Sequence, residues 1–170
     1  MGLSYDFFNR QVEMFVNTVV PEGSILDVGP GAGKYGKMLS NPKRFVDGVE
    51  IFEPYVEKFG LRKVYRKIFV KNICQFDCGE KEYDLAIFGD ILEHLSIDDA
   101  KAVLAKFEKK MIPALVLVPY SYEQEAINGN DHEEHLQPDL TEEIFHKRYP
   151  GFTRIFGNTY QGVFFKGRNK

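Results

Sequence analysis

The fold class is decided by twelve residues, ILDVGPGAGKYG at positions 25–36. A short apolar run leads into a bend that contains glycines at positions 29, 31 and 33, and a helix pattern begins directly after it. Glycine adopts backbone with positive φ and leaves space where a side chain would block a ligand. The N–H groups at the start of a helix add hydrogen-bond donors beside such a bend. The stretch therefore predicts a ligand site at the carboxyl edge of a parallel sheet.

Outward from this bend, strand and helix patterns alternate. Apolar runs predict strands at 24–28, 45–50, 68–71, 83–88 and 114–118. Helices are predicted at 5–19, 35–39, 54–59, 96–110 and 141–148, and Ser96 and Asp99 have the spacing of a capping box. Two aromatic-rich runs at 152–156 and 159–165 flank Gly157 and Asn158, which predicts a C-terminal hairpin. The expected α/β fold is a seven-stranded mixed sheet, mostly parallel with one antiparallel C-terminal strand, flanked by helices on both faces.

Length and charge limit the classes of partner. The 170 residues predict one domain spanning positions 1–170, and the net charge of −3 comes from mixed charges without a basic stripe. A nucleic-acid partner is therefore not expected. The sequence shows no secretion signal and no apolar run of membrane-spanning length, so a cytoplasmic protein without a membrane partner is expected. Cys74 and Cys78 are predicted to be reduced thiols, and nothing in the sequence specifies an oligomeric state.

The glycine bend is compatible with more than one ligand class. A P-loop needs glycine at position 28 and Ser or Thr at position 35, where this sequence has Val28 and Tyr35. The spacing Gly31-x-Gly33-x-x-Gly36 does satisfy the dinucleotide pattern, which is a weak signal by itself. Asp27 lies in the strand two residues before the bend, where a carboxylate suits a cationic amino group better than a pyrophosphate.

The spacing Asp27-x-Gly29-x-Gly31-x-Gly33 resembles the first motif of the class I methyltransferases that depend on S-adenosylmethionine (SAM). This resemblance implies a Rossmann-like sheet, SAM as the cofactor, and contact between this motif and the amino-acid end of SAM. The segment YDLAIFGDILEHL at 83–95 is similar to the family's segment beneath the transferring methyl group, which implies a cofactor and catalytic role for Asp90.

Two strand ends supply further residues implied by the resemblance. Glu50 is at the place where the family binds the ribose hydroxyls, and Asn72 and Ile73 are at the place where it binds adenine. Each has an ordinary structural alternative, because Glu50 can be a solvated strand end and Asn72 can cap a turn. Asp90 can also be a helix-start charge favoured by the helix dipole.

Histidines are the candidates on the acceptor side. His94 follows the strand that abuts the methyl donor, and an imidazole titrates near neutral pH, so it is a candidate general base. The stretch 128–136 resembles a loop of methyltransferases that modify glycans and small metabolites, which makes His135 a candidate acceptor residue. His132 and His135 miss the zinc spacing H-E-x-x-H by one residue, so no metal is expected.

The expected function is transfer of a methyl group from SAM to an O or N atom of a small-molecule or sugar-like acceptor. The segment after the fourth strand lacks the prolines of the Asp/Asn-Pro-Pro-aromatic motif carried by enzymes that methylate nucleobase amino groups. Two other classes stay open at this point: a non-catalytic module that binds SAM or a partner, and a NAD-dependent oxidoreductase.

Overall fold

Seven strands form one twisted sheet in the order β3-β2-β1-β4-β5-β7-β6. The computed structural model describes residues 6–79, 83–127 and 129–168. Strands β1 to β5 pair in parallel, whereas β7 runs antiparallel to both β5 and β6. The strands are Gly23–Val28 (β1), Arg44–Glu50 (β2), Lys67–Val70 (β3), Leu85–Gly89 (β4), Ala114–Pro119 (β5), Thr153–Gly157 (β6) and Gln161–Lys166 (β7). The predicted mixed sheet with one reversed strand near its C-terminal end is confirmed.

Helices cover both faces of the sheet, as the alternation of patterns predicted. They are Asn9–Val19 (α1), Lys34–Leu39 (α2), Glu53–Lys58 (α3), Ile97–Lys109 (α4) and Glu142–Arg148 (α5). One apolar core contains Val12, Val16 and Leu39 from α1 and α2, and the other contains Val103 and Phe107 from α4. The two cores lie on opposite faces because successive side chains of a strand point to opposite sides.

The predicted helix boundaries differ from the observed ones by at most one residue, except at the start of α1. The pattern at 5–19 suggested a helix from position 5, which lies outside the described residues, whereas α1 begins at Asn9. Ser96 is the N-cap of α4, and its hydroxyl accepts a hydrogen bond from the Asp99 backbone N–H at 3.1 Å. The N-cap bond of the predicted capping box is therefore present, and the Asp99 carboxylate accepts a hydrogen bond of 2.8 Å from the Ser96 hydroxyl.

The strand order brings the carboxyl ends of β1, β2 and β4 next to one another. Chain segments that leave β1 and β4 depart to different sides, because the strand order reverses between them. A crevice at such a switch point is the usual place for a ligand in an open α/β sheet. Among the described residues, none of the helices combines the length and apolar composition needed to cross a bilayer.

Candidate functional site

A cavity of about 660 Å³ opens at the carboxyl ends of these strands. Its wall includes the bend after β1, the residues that follow β2, β3 and β4, and part of the long segment between β5 and α5. A volume of this size matches sites that enclose a small molecule or cofactor. Of the residues predicted to form the site, the wall contains Gly29, Gly31, Glu50, Asn72, Ile73, Asp90, His94 and His135.

The glycine bend has the backbone conformation that its sequence predicts. The φ angles are 67° at Gly29, 51° at Gly31 and 80° at Gly33, a region that other residues rarely adopt. Gly33 is the N-cap of α2 and does not line the cavity, unlike the other two glycines. A Cβ built at Gly31 would meet no atom of the described residues within 4 Å. The backbone at Gly31 is therefore open to a ligand.

Asp27 lies behind the bend and not in the cavity wall. Its side chain is fully buried, and its Oδ2 accepts a hydrogen bond of 2.5 Å from the Tyr65 hydroxyl. The same hydroxyl accepts a hydrogen bond from the N–H of Gly36 in α2. Asp27 thus supports the bend and the adjoining helix through Tyr65. The sequence placed this carboxylate beside the loop but did not indicate that a tyrosine 38 residues away would bind it.

Burial raises the pKa of Asp27 to about 7, although the hydrogen bond from Tyr65 opposes the shift. An acid with a raised pKa in the folded state binds its proton more tightly there, so its contribution to stability falls as the pH rises from about 4 to about 7. Relative to Asp27→Asn, the wild type is expected to lose on the order of 4 kcal/mol of unfolding free energy across that interval. Urea unfolding of both proteins at several pH values measures this difference.

Asp98→Asn, which alters an exposed carboxyl group on α4, controls for the loss of any carboxylate. Parallel pH profiles for the wild type and Asp27→Asn would contradict the assigned burial effect.

Glu50 ends β2 and faces the bend after β1. Its side chain is 4% exposed, and its Oε2 accepts a hydrogen bond of 3.3 Å from the N–H of Gly31. Its Oε1 accepts one of 2.9 Å from the N–H of Phe52. Burial raises the pKa of Glu50, and these two N–H groups counter the shift. The carboxylate is thus fixed at the cavity wall and does not point into solvent.

Asn72 and Ile73 follow β3 on the same side of the cavity. The Asn72 side-chain oxygen accepts a hydrogen bond of 2.8 Å from the N–H of Cys74, so Asn72 does cap a turn. Ile73 is 7% exposed and packs in one of the two cores while also lining the cavity. Asn72 therefore both caps a turn and lines the cavity.

Asp90 follows β4 with a φ of 55°, a conformation that is unusual for a residue other than glycine. Its N–H donates to the carbonyl of Leu117, and its Oδ1 accepts a hydrogen bond of 3.0 Å from Gln161 Nε2. Strained backbone of this kind persists where its surroundings hold it, and it concentrates at functional sites. Gln161, in β7, is thereby linked to the site, although it carried no signal in the sequence.

Glu93, His94 and His135 meet in the cavity wall. Glu93 and His94 belong to a short 3-10 turn after β4, whereas His135 comes from the segment that follows β5. The backbone carbonyl of Glu93 accepts hydrogen bonds from the N–H groups of Leu136 and Gln137, which dock that segment on the turn. The rings of His94 and His135 lie edge to face, with centroids 4.6 Å apart. Burial lowers the pKa of His94 to about 4, so its ring is neutral at pH 7.

No protein-family model matches this sequence, and no curated protein does so either. Solved structures do match. A Burkholderia thailandensis 1,6-didemethyltoxoflavin-N1-methyltransferase, with 1,6-didemethyltoxoflavin and S-adenosylhomocysteine bound, has a TM-score of 0.69 and 17% identity over 97% of this chain and 80% of that one. Magnesium protoporphyrin IX methyltransferase from Synechocystis PCC 6803, with SAM bound, has a TM-score of 0.64 and 16% identity, and the match covers 99% of this chain and 87% of that one. A Clostridium acetobutylicum SAM-dependent methyltransferase has a TM-score of 0.68 and 13% identity, and the match covers 99% of this chain and 94% of that one.

The chain has the fold of the class I SAM-dependent methyltransferases. In this methyltransferase fold, the cavity lies where the sequence motifs predicted it, beside the bend after β1 and the end of β2. The stretch 128–136 resembles a loop of methyltransferases that modify glycans and small metabolites. Position 128 of that stretch lies outside the described residues. His135 within that stretch does reach the cavity.

Besides Tyr65 and Gln161, three further residues near the cavity were not among the predicted site residues. Tyr35 lines the cavity, and among the described residues its buried hydroxyl has no hydrogen-bond partner. Glu93, within the segment at 83–95, is 1% exposed in the wall. Gln137 is buried and donates to the carbonyls of Leu92 and Leu95, which anchors the segment that carries His135. The polar composition of that segment did not indicate that it would pack against the turn after β4.

Proposed function

We propose that residues 1–170 form one methyltransferase domain that transfers a methyl group from SAM to an O or N atom of a small-molecule or sugar-like acceptor. The observation that carries this proposal is the position of Glu50, which is buried at the end of β2 and bonded to the N–H of Gly31. A carboxylate held there is suited to accept hydrogen bonds from the two hydroxyls of a ribose. The neighbours solved with SAM or S-adenosylhomocysteine bound support the same cofactor.

The charges of the cavity favour a cationic cofactor over a dinucleotide. A buried carboxyl group beside the bend belongs to Glu50, and burial raises its pKa. An ionised carboxylate in such a place is costly unless a cation lies nearby. SAM brings a sulfonium and an ammonium group, whereas NAD brings an anionic pyrophosphate. Of the four lysines in the wall, Lys37, Lys58 and Lys71 are exposed at its edge, and the half-buried Lys34 forms an ion pair with Asp6.

Each part of SAM has residues suited to it. In this assignment Gly29 and Gly31 bring backbone close to the amino-acid end, and Gly33 shapes the bend that holds them. Asp27 acts through Tyr65 on the same bend. Glu50 binds the ribose, and Asn72 and Ile73 contact the adenine. The open space at Gly31 and the positive φ angles of the bend fit a ligand that lies against the backbone.

In methyl transfer, the main task of the protein is to position the methyl donor and the acceptor atom. Bound SAM supplies a methyl group that is already activated on a positively charged sulfur. The chain's own residues must hold the acceptor atom in line with that methyl group and exclude water. We assign Asp90, His94 and His135 to the acceptor side. His94 is neutral at pH 7, so it can accept a hydrogen bond from an acceptor hydroxyl or amine.

Calorimetric titration with SAM and, separately, with NADH tests the cofactor assignment. One SAM bound per chain and no NADH bound is the expected result, whereas NADH binding without SAM binding would overturn it. Incubation with SAM carrying a labelled methyl group and a panel of hydroxyl- and amine-bearing metabolites then tests transfer. Binding of SAM without labelling of any acceptor would favour the non-catalytic module over the enzyme.

A further inference from the structure

The cluster of Glu93, His94 and His135 has the geometry of a metal site. One ligand atom from each residue lies within 4.8 Å of the other two, so small side-chain rotations would bring all three to one ion. All three residues line the cavity. They come from two segments 41 residues apart that are joined by the hydrogen bonds from Leu136 and Gln137 to the Glu93 carbonyl. The cluster is thus built by the fold and does not depend on a local sequence motif.

Hydrogen bonds set the tautomer of both histidines. His94 Nδ1 lies 3.0 Å from the carbonyl oxygen of Glu134, and His135 Nδ1 lies 2.7 Å from that of Tyr122. A carbonyl oxygen only accepts, so each Nδ1 carries the proton and each Nε2 keeps its lone pair. Metal-binding histidines are generally held in this way, with one ring nitrogen bonded to a carbonyl or carboxylate and the other on the metal.

Glu93 supplies an independent sign of a missing cation. Its side chain is 1% exposed, and within the described part of the chain neither carboxyl oxygen has a hydrogen-bond partner. Leaving a buried carboxyl group without any partner is costly, and such a group in a folded protein usually has an ion or a water to satisfy it. Two lone-pair nitrogens beside an unpaired carboxyl group make a divalent cation the matching partner.

We infer that Glu93, His94 and His135 bind one divalent transition-metal ion at the cavity wall. Two imidazole nitrogens and one carboxylate oxygen suit Zn²⁺, Fe²⁺, Co²⁺ or Mn²⁺ better than Mg²⁺ or Ca²⁺, which prefer oxygen ligands alone. Three protein ligands leave at least one coordination position open, as in zinc sites that bind a substrate or water. His132, which the sequence paired with His135 when a zinc motif was excluded, is not one of the three ligands.

The open position suggests a role for the ion that rests on the proposed function. Glu93 and the two histidines share the cavity with Gly31 and Glu50, so an ion there would lie in the same chamber as the methyl donor. A hydroxyl or amine group of the acceptor is a suitable ligand for the open position. With the ion bound, the ion and not the His94 ring contacts the acceptor, because the Nε2 lone pair of His94 is then on the ion. Binding of the ion itself does not depend on this role.

Titration of chelator-treated, full-length protein with Co²⁺ and Zn²⁺ tests the site directly. We expect one ion per chain by calorimetry, visible ligand-field absorption from bound Co²⁺, and loss of that absorption when Zn²⁺ is added. Glu93→Gln and His135→Ala are each expected to weaken Zn²⁺ binding about 100-fold or more, because even an outer partner of a metal ligand contributes 10- to 100-fold. His132→Ala, which alters another histidine of the cavity wall, should bind Zn²⁺ like the wild type.

Two results would overturn the inference: wild-type protein that takes up no stoichiometric ion, or Glu93→Gln protein that binds Zn²⁺ as tightly as the wild type. Circular dichroism and thermal unfolding of each variant show whether it is folded, and Glu93→Gln keeps the size of the side chain. SAM titration of the same chelator-treated protein separates the two proposals. SAM binding without metal binding removes only the metal site, and metal binding without SAM binding removes only the methyltransferase assignment.

Discussion

Glu50→Ala is expected to weaken SAM binding by about 100-fold or more, because it removes the carboxylate that is proposed to bind the ribose. Two hydrogen bonds from ribose hydroxyls to a carboxylate contribute roughly 1.5–3 kcal/mol each, and both would be lost together. The carboxylate is already oriented by the N–H groups of Gly31 and Phe52, so binding requires little further ordering of it. Calorimetric titration with SAM and with S-adenosylhomocysteine measures the change in Kd.

Two further variants show whether the loss comes from the ribose contact. Glu50→Gln retains the side-chain shape but loses the charge, so its Kd should lie between those of the wild type and Glu50→Ala. Glu57→Ala removes an exposed carboxylate on α3 that does not line the cavity, and it should bind SAM normally. Wild-type affinity in a folded Glu50→Ala protein would remove the ribose assignment and, with it, the main support for the proposed function.

Gly31→Asn is expected to abolish measurable SAM binding while leaving the protein folded. Asparagine tolerates positive φ better than most residues, so the φ of 51° should cost no more than about 1 kcal/mol of stability. Its side chain would enter the open space at the cavity wall, where the backbone is proposed to approach the amino-acid end of SAM. Urea unfolding and SAM calorimetry on the same preparation measure the two effects separately.

Gly29→Ala is the matched comparison in the same bend. Its Cβ would overlap Cδ1 of Ile91, and the φ of 67° adds strain, so we expect a loss of about 1–3 kcal/mol in unfolding free energy. Substitution of Gly29 therefore disturbs packing as well as the cavity wall, whereas substitution of Gly31 changes only the open space at the wall. A Gly31→Asn protein that binds SAM like the wild type would show that the ligand does not lie against this part of the bend.

Local patterns in the sequence were sufficient to predict the sheet and several residues of the cavity wall. The apolar run before the bend and the glycines at 29, 31 and 33 encode a strand followed by positive φ, because few other residues adopt that backbone. The resemblance to the class I methyltransferases assigned Glu50 and Asn72 to one site, and both line the cavity because the ends of parallel strands meet at one edge. The reversed β7 was likewise predicted from two aromatic-rich runs around Gly157 and Asn158.

Contacts between distant segments decided which polar side chains meet at the cavity. Asp27 is bound by Tyr65 and lies behind the bend, and no pattern in either segment specifies that pairing. His94 and His135 meet because the buried Gln137 and the Glu93 carbonyl dock an otherwise irregular segment on the turn after β4. Irregular segments carry no hydrophobic period from which their path can be read. The sequence alone therefore determined the sheet and the glycine bend, through local backbone preference and periodicity. Only the tertiary structure decided which polar side chains share the cavity, because that depends on long-range hydrogen bonds.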